Sequence, residues 1–225
     1  MTWIKICGTT SERDADIAIR AGANALGFIM TQSPRQVSDT SAYSIGTVVP
    51  KGVETIGVFV NEQPETLAQT ARFCRFTGVQ LHGEEDSGYV DSLRALLPGI
   101  KIIKTLKSVD VLARSRQPVA SSLKPDMWLI DSGNGTQRGG TGKTFDWRGA
   151  QPQLKKLQQP LVVAGGLNAE NVQAALEVLR PWGVDVCSGV ESYPGRKHPG
   201  AIAQFIDAVR QFDAAAQMRS EERKL

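Results

Sequence analysis

The chain alternates between short apolar segments and amphipathic segments along nearly its whole length. Eight apolar segments predict strands, and they lie at Trp3–Cys7, Ala25–Ile29, Thr55–Val60, Gly78–Leu81, Lys101–Lys104, Met127–Asp131, Leu161–Ala164 and Val184–Cys187. Several, such as "TIGVFV" and "PLVVAGG", are continuously apolar and rich in β-branched residues. Strands of this kind are buried on both faces, which is typical of a parallel sheet.

The amphipathic segments between the strands predict helices. The first begins after Ser11, a suitable N-cap followed by acidic residues, and ends at Gly22. A later helix is predicted to have Asn168 as its cap and to stop at Pro181, and the last helix covers residues 198–212. Weaker helical patterns occupy Asp39–Val48, Gln63–Phe73, Asp86–Leu96, Val109–Ala120 and Trp147–Leu157.

These elements form about eight strand–helix units with no linker between two halves. Eight right-handed βα units in 225 residues predict an α/β fold, a single-domain (β/α)8 TIM barrel. The barrel would span residues 1–212, and a polar C-terminal tail would occupy 213–225. A doubly wound open sheet is the alternative, but it usually has fewer strands and a GxGxxG turn after the first strand, where this chain has "CGTT".

Composition narrows the class of protein. Hydrophobic residues make up 41% of the chain and charged residues 22%, which is ordinary for a globular protein. The net charge of +3 is spread along the sequence, so we expect no nucleic-acid partner. There is no signal-peptide pattern, no apolar segment long enough to span a membrane and no CxxC spacing among the three cysteines. We therefore expect a cytoplasmic protein with neither a membrane contact nor a disulfide framework.

In a barrel of this type the active site lies where the strands end, in the βα loops. Gly165 and Gly166 end the seventh predicted strand, and Ser188 and Gly189 end the eighth. Backbone N–H groups in two adjacent glycine-rich loops favour phosphate binding, although glycines that only form tight turns are the simpler alternative.

Four further side chains near strand ends are candidates for chemistry. Cys7 ends the first strand and Asp131 the sixth, so they could form a base and acid pair, although a buried structural cysteine is equally compatible with the pattern. Arg35 follows a proline in a loop and could bind a carboxylate, although a solvated arginine is more common. His82 ends the fourth strand as a candidate substrate-binding residue, although a structural histidine is slightly favoured. With only two histidines in the chain, we expect no metal site.

Seven motifs now occur in order between about residue 3 and residue 210: "KICGTT", "SPRQV", "GVFVN", "VQLHG", "LID" with "GGTGKTFDW", "VAGGLNAENV" and "GVDVCSGVESYPGRK". Together they resemble the phosphoribosylanthranilate isomerase family of tryptophan biosynthesis. The resemblance implies an Amadori rearrangement of a phosphorylated aminoaldose, without a cofactor or metal. It also implies a phosphorylated small molecule as the substrate and a chain that works as a monomer or homodimer.

The resemblance also assigns roles to individual residues. It implies that Cys7 is the general base, that Asp131 is the general acid and that Arg35 holds the anthranilate carboxylate. It implies phosphate-binding segments at Gly165, Gly166, Ser188 and Gly189, and a sugar-hydroxyl contact at Asp185. Lys5 lies on the same strand face as Cys7, so we hypothesise that its charge lowers the pKa of the thiol.

Three positions depart from the family pattern. Met30 stands in a loop that is one residue short before Arg35, Cys187 replaces a usual serine, and His198 stands where aspartate is common. Other functions stay open: an isomerase of a related phosphorylated aminoaldose such as that of histidine biosynthesis, a metal-dependent sugar-phosphate epimerase, or a non-catalytic barrel that binds a phosphate ligand. The thiol on the first strand argues against the isomerase of histidine biosynthesis, and the two isolated histidines argue against the epimerase.

Overall fold

Parallel strands form a closed barrel, as the hydrophobic pattern predicts. The computed structural model describes residues 1–113, 123–133 and 144–222. The barrel strands follow one another in chain order, and the last pairs with the first. They are β1 (Trp3–Cys7), β2 (Ala25–Ile29), β3 (Glu54–Phe59), β4 (Gly78–Leu81), β5 (Lys101–Lys107), β6 (Met127–Asp131), β7 (Leu161–Val163) and β8 (Gly183–Val186).

Helices follow the strands and cover the outside of the barrel. They are α1 (Glu12–Ala21), α2 (Asp39–Thr47), α3 (Pro64–Phe73), α4 (Ser87–Leu96), α5 (Ser108–Leu112), α6 (Trp147–Leu154), α7 (Val172–Leu179) and α8 (Pro199–Glu222). The predicted caps of α1 are confirmed, because the Ser11 side chain accepts from the Asp14 N–H and Gly22 takes a left-handed conformation with φ of 100°. Among the described residues, no helix has the length and apolar character that a membrane span requires.

Several helix boundaries differ from the prediction, and α6 ends at Leu154 rather than at Leu157. Asn168 is not the cap of α7, because its side chain accepts from the N–H groups of Glu170 and Asn171 in a separate turn, and the helix begins only at Val172. The predicted helix Val109–Ala120 is present as α5 up to Leu112, and its residues from 114 onward lie outside the described ranges. α8 continues to Glu222, so the segment predicted as a polar tail is helical as far as it is described.

The barrel interior is apolar toward the N-terminal ends of the strands and polar toward their C-terminal ends. Side chains alternate along each strand, so every second residue points into the barrel. An apolar interior cluster comprises Trp3, Ala25, Ile56, Ile103, Met127, Leu129, Val162 and Ala164. The next inward positions toward the strand ends hold buried polar groups: Lys5, Gln80, Thr105, Asp131 and Asp185. This polar layer forms the floor of the barrel mouth.

A short strap that the sequence pattern did not predict follows β8. It comprises a 3₁₀ helix (Ser188–Val190) and an antiparallel pair, β9 (Glu191–Tyr193) and β10 (Arg196–Lys197). The Thr10 hydroxyl donates to the Gly195 carbonyl at 2.6 Å, which fastens the strap to the loop after β1. The strap thereby brings Glu191 and Lys197 to the mouth of the barrel.

Candidate active site

The thiol of Cys7 lies at the end of β1, beside a second thiol. Ile6 is paired with Val186 across β1 and β8, so Cys7 and Cys187 come next on neighbouring strands. A hydrogen bond from the Cys187 thiol is the largest influence on Cys7. Together with the charges of Lys5 and Lys197 it lowers the pKa of Cys7 from 9.0 to about 7, against the opposing effects of burial and the Asp185 charge. The same contact raises the pKa of Cys187. The Cys7 thiolate is therefore the stable one of the pair.

Lys5 is the next inward residue below Cys7 and is completely buried. Its ammonium donates to Asp185 Oδ1 and to Gln80 Oε1, each at 2.9 Å. Burial alone would lower its pKa, but the negative charges of Asp185 and Cys7 outweigh burial and raise it. The Lys5 charge also lowers the pKa of Cys7, although less than the Cys187 hydrogen bond does. The hypothesis that Lys5 lowers the pKa of the thiol therefore has the correct direction. It names the second of the lowering effects, however, and misses the larger one, which comes from Cys187.

The glycine of β2 gives these two side chains their space. A β-carbon at Gly27 would lie 2.8 Å from Cys7 Sγ and 2.9 Å from Lys5 Cε. Both distances are shorter than any ordinary carbon contact. A larger residue at this position would therefore displace the thiol and the ammonium together.

Asp131 ends β6 and is 8% exposed. Its Oδ1 accepts from the Gly133 N–H at 3.2 Å and from the Ser132 hydroxyl at 3.5 Å. Burial is the largest influence and raises the pKa of the carboxyl group, while the Gly133 N–H and the Lys5 charge oppose this effect in part. The structure thus places a carboxyl group with a raised pKa at the mouth of the barrel. Cys7 lies at the same mouth.

His82 follows β4 and faces Asp131. Its Nε2 lies 3.7 Å from Asp131 Oδ2, and its Nδ1 lies 3.0 Å from the Gln80 amide nitrogen. Burial, followed by the Lys5 charge, lowers the pKa of the imidazole to about 4. The ring is therefore neutral near pH 7, and it can donate or accept a hydrogen bond there without acting as an acid.

Arg35 lies in a pair with Glu191 of the strap. Its Nε approaches the two carboxylate oxygens at 2.9 and 3.0 Å, and its Nη2 donates to Oε2 at 2.7 Å. Burial would raise the pKa of Glu191, but the hydrogen bonds from Arg35 and Lys197 outweigh it and keep the pKa low. This arrangement holds one edge of the guanidinium and leaves Nη1 on the other edge.

Lys197 connects the strap to the Cys7 side of the mouth. Its side chain is completely buried, and its ammonium donates to the carbonyl oxygens of Cys7 and Cys187 and to Glu191 Oε1 at 3.1 Å. One lysine thus binds the backbone of Cys7 and the carboxylate that holds Arg35. Sequence reasoning missed Glu191 and Lys197, and the "ESYPGRK" turn pattern is the one signal that could have indicated the hairpin.

The predicted phosphate loops lie side by side after β7 and β8. Gly165 and Gly166 have φ of 84° and 67°, which favours glycine. Within the described part of the chain, their N–H groups donate to no protein acceptor. A β-carbon at Gly189 would lie 1.9 Å from the Leu167 carbonyl, so the two loops touch there. The glycines therefore serve tight packing as well as leaving donors at the mouth.

The remaining predicted residues are placed as follows. Asp185 is 7% exposed on β8 and pairs with Lys5 rather than pointing freely to the mouth. Ser188 begins the 3₁₀ helix after β8. Most of the predicted "GGTGKTFDW" motif, up to residue 143, lies outside the described residues. Among those that are described, no group of three or more His, Cys, Asp or Glu residues could hold a metal ion.

Sequence comparisons identify relatives over nearly the whole chain. A sequence model of the family described as PRAI, N-(5'phosphoribosyl)anthranilate (PRA) isomerase, matches residues 4–208. The N-(5'-phosphoribosyl)anthranilate isomerase of Clostridium acetobutylicum is 37% identical over 212 residues, which cover 94% of this chain and 100% of the relative. The relative of the same name from Geobacter sulfurreducens is 40% identical over 207 residues, or 92% of this chain and 97% of its own.

Solved structures with the same fold give the same result. The phosphoribosyl anthranilate isomerase of Thermotoga maritima has a TM-score of 0.80 at 35% identity and covers 94% of this chain and 100% of its own. A crystal structure of such an isomerase with reduced 1-(o-carboxyphenylamino)-1-deoxyribulose 5-phosphate has a TM-score of 0.77 at 33% identity, with the same coverage. The chain therefore belongs to the phosphoribosylanthranilate isomerase family, a family of isomerases of tryptophan biosynthesis.

Proposed function

We propose that this enzyme converts N-(5-phosphoribosyl)anthranilate to 1-(2-carboxyphenylamino)-1-deoxyribulose 5-phosphate, with Cys7 as the general base and Asp131 as the general acid. The observation that supports these roles most strongly is the opposite direction of two pKa shifts. The pKa of the Cys7 thiol is lowered and that of the Asp131 carboxyl is raised. A base and an acid that work at the same pH require shifts of these signs.

The proposed reaction has two proton transfers. Protonated Asp131 donates to the ring oxygen of the furanose, the C1′–O bond breaks, and the anilino nitrogen forms a C=N bond to C1′. The positive Schiff base acidifies the proton on C2′, and the Cys7 thiolate removes it. The resulting enolamine then tautomerises to the aminoketose, and the cysteine proton passes back to the solvent or to Asp131.

We propose that Arg35 and the loops after β7 and β8 bind the two ends of the substrate. Glu191 occupies one edge of the Arg35 guanidinium, so the opposite edge is suited to the anthranilate carboxylate. The N–H groups of Gly165 and Gly166, with Ser188 and Gly189 beside them, suit the phosphate. His82 and Asp185 would then contact the sugar between these ends.

Turnover of phosphoribosylanthranilate tests this proposal. We expect the wild type to remove the anthranilate fluorescence of this substrate, and we expect Cys7→Ser and Asp131→Asn each to lose on the order of 10²–10⁴-fold in kcat. Cys74→Ser and Asp207→Asn are the matched controls, because Cys74 is packed on the outer helices and Asp207 is exposed on α8. Full activity in both site variants would contradict the roles, and conversion of another aminoaldose phosphate alone would change the substrate.

The oligomeric state is a separate proposal. One T. maritima relative is described as a dimeric isomerase from which monomers were generated. We propose that this chain is a monomer or homodimer, and light scattering of the purified protein measures which. A larger assembly would contradict the proposal.

A further inference from the structure

A row of buried side chains crosses the barrel interior from β1 to β4. Lys5 Nζ lies 2.9 Å from Gln80 Oε1, and Gln80 Nε2 lies 3.0 Å from His82 Nδ1. Gln80 is 2% exposed, and its amide nitrogen also lies 3.4 Å from the Thr105 hydroxyl. Gln80 thus stands between the buried cation and the histidine of the mouth, and the mechanism above assigns it no role.

The chemistry of Lys5 determines which way the Gln80 amide points. An ammonium group has three donors and no acceptor, so the atom that faces it must be the amide oxygen. The amide NH₂ then faces His82 and Thr105. The positions of the amide oxygen and nitrogen therefore follow from hydrogen-bond chemistry.

The Gln80 amide in turn determines where the His82 ring carries its proton. The NH₂ group can only donate, so His82 Nδ1 must accept, and a neutral ring then has its proton on Nε2. An imidazolium would place an Nδ1–H against the Gln80 donor. The Thr105 hydroxyl, which lies 3.2 Å from Nδ1, can accept from the second N–H of the Gln80 amide, so it agrees with this assignment.

We propose that Gln80 is a positioning residue that holds His82 as the neutral tautomer protonated on Nε2, with that N–H directed at Asp131. Nε2 lies 3.7 Å from Asp131 Oδ2. This inference rests on the proposed role of Asp131 as the acid. When Asp131 gives its proton to the substrate, a carboxylate forms, and a donor already directed at it stabilises the new charge.

Several charged groups surround His82 and bear on its protonation. They lie on five strands or the loops after them and are Lys5 on β1, Glu85 after β4, Lys104 on β5, Asp131 on β6 and Asp185 on β8. Lys5 and Lys104 disfavour the imidazolium, Asp185 and Glu85 favour it, and burial disfavours it most. Burial, the two lysine charges and the Gln80 donor therefore act together against the imidazolium, and the two carboxylates oppose them in part.

Nitrogen-15 NMR of the labelled histidine rings tests the tautomer directly. The chain has two histidines, so a His198→Asn variant assigns the spectrum, and asparagine can replace the exposed His198 where Nδ1 accepts from the Ala201 N–H. At about pH 7 we expect His82 to have a protonated Nε2 and a bare Nδ1. An imidazolium, or a proton on Nδ1, would overturn the proposal without any variant.

Gln80→Glu separates the Gln80 effect from general damage. A carboxylate can still accept from Lys5, but it presents an acceptor to Nδ1, so we expect the proton to move to Nδ1 or the ring to become charged. Thr105→Val is the matched control, because it removes the other neighbour of Nδ1 and should leave the tautomer unchanged. An unchanged spectrum in Gln80→Glu, or a switched one in Thr105→Val, would overturn the role of Gln80.

Kinetics then connect the tautomer to the reaction. For Gln80→Glu we expect kcat to fall about tenfold with little change in KM, and a new ionisation in the pH profile of kcat. A structural role alone would lower stability without this ionisation and would contradict the proposal. If phosphoribosylanthranilate is not the substrate, the turnover assay fails while the NMR result stands, so the two proposals fail separately.

Discussion

The two sides of the barrel mouth hold their ionisable groups in opposite ways. On the side of β1 and β8, Cys7 is surrounded by donors and cations, and the Cys187 thiol and Lys5 lower its pKa. On the side of β4 and β6, Asp131 has two weak donors, and burial raises its pKa. The same barrel thus favours the anion on one side and the neutral acid on the other. Specific partners produce the first effect, and exclusion of water produces the second.

The Lys5 charge lowers the pKa of both Cys7 and Asp131, so removing it would disturb both sides of the mouth. In Lys5→Met we expect the pKa of Cys7 and that of Asp131 to rise and turnover near pH 7 to fall. Asp185 would also be left as a buried charge without its partner, which costs about 3–5 kcal/mol in the free energy of unfolding. Urea unfolding measures the stability, and alkylation of Cys7 as a function of pH measures the thiol.

The matched control is Lys101→Met, because Lys101 forms a partly exposed ion pair with Glu54. We expect this pair to contribute about 1 kcal/mol or less and its loss to leave Cys7 unchanged. Equal losses of stability in the two variants would show that Lys5 has no special place in the polar layer.

Glu191 offers a way to disturb the Arg35 contact while leaving Asp131 alone. In Glu191→Gln the charge that holds the Arg35 guanidinium is lost, so we expect KM to rise about tenfold and kcat to change less. Steady-state kinetics with the proposed substrate measure the effect, and Glu177→Gln on the exposed face of α7 is the control. A fall in kcat with an unchanged KM would contradict the role of Glu191 as a support for the carboxylate clamp.

Substitution of Cys187 has the smallest expected effect, and it tests the side of β1 and β8 most specifically. Cys187→Ala removes the donor, so we expect the pKa of Cys7 to rise from about 7 toward 9.0, with a severalfold slower alkylation near pH 7. Cys187→Ser retains a hydroxyl donor and should keep the pKa low. An identical alkylation profile in the alanine and serine variants would mean that the hydrogen bond is not the cause.

The sequence predicted the barrel because the relevant signals are local. Continuous apolar strands, caps such as Ser11 and the order of the motifs depend on near neighbours in the chain. Position at a strand end was also predictable, so Cys7, Asp131 and His82 could be placed at one mouth. Their proposed roles stay predictions until the variants are measured.

The missed features depend on contacts that are distant in the sequence. The strap of β9 and β10 is too short to show a periodic pattern, and Lys197 reaches Cys7 from 190 residues away. The cap at Asn168 was wrong because its side chain closes a turn of its own before α7. Gln80 contacts Lys5 only because barrel closure brings β1 and β4 to the same interior layer.

The pH dependence of kcat/KM for the wild type tests the contrast between the two sides most directly. Below the lowered pKa of Cys7 the thiol holds its proton and the base is lost, and above the raised pKa of Asp131 the carboxyl loses its proton and the acid is lost. We predict a bell-shaped profile in which the Cys7 limb lies near pH 7 and the Asp131 limb lies above the position of an unshifted carboxyl, so that activity changes across about pH 5–9. A flat profile across that range, as unshifted groups would give, would contradict the account.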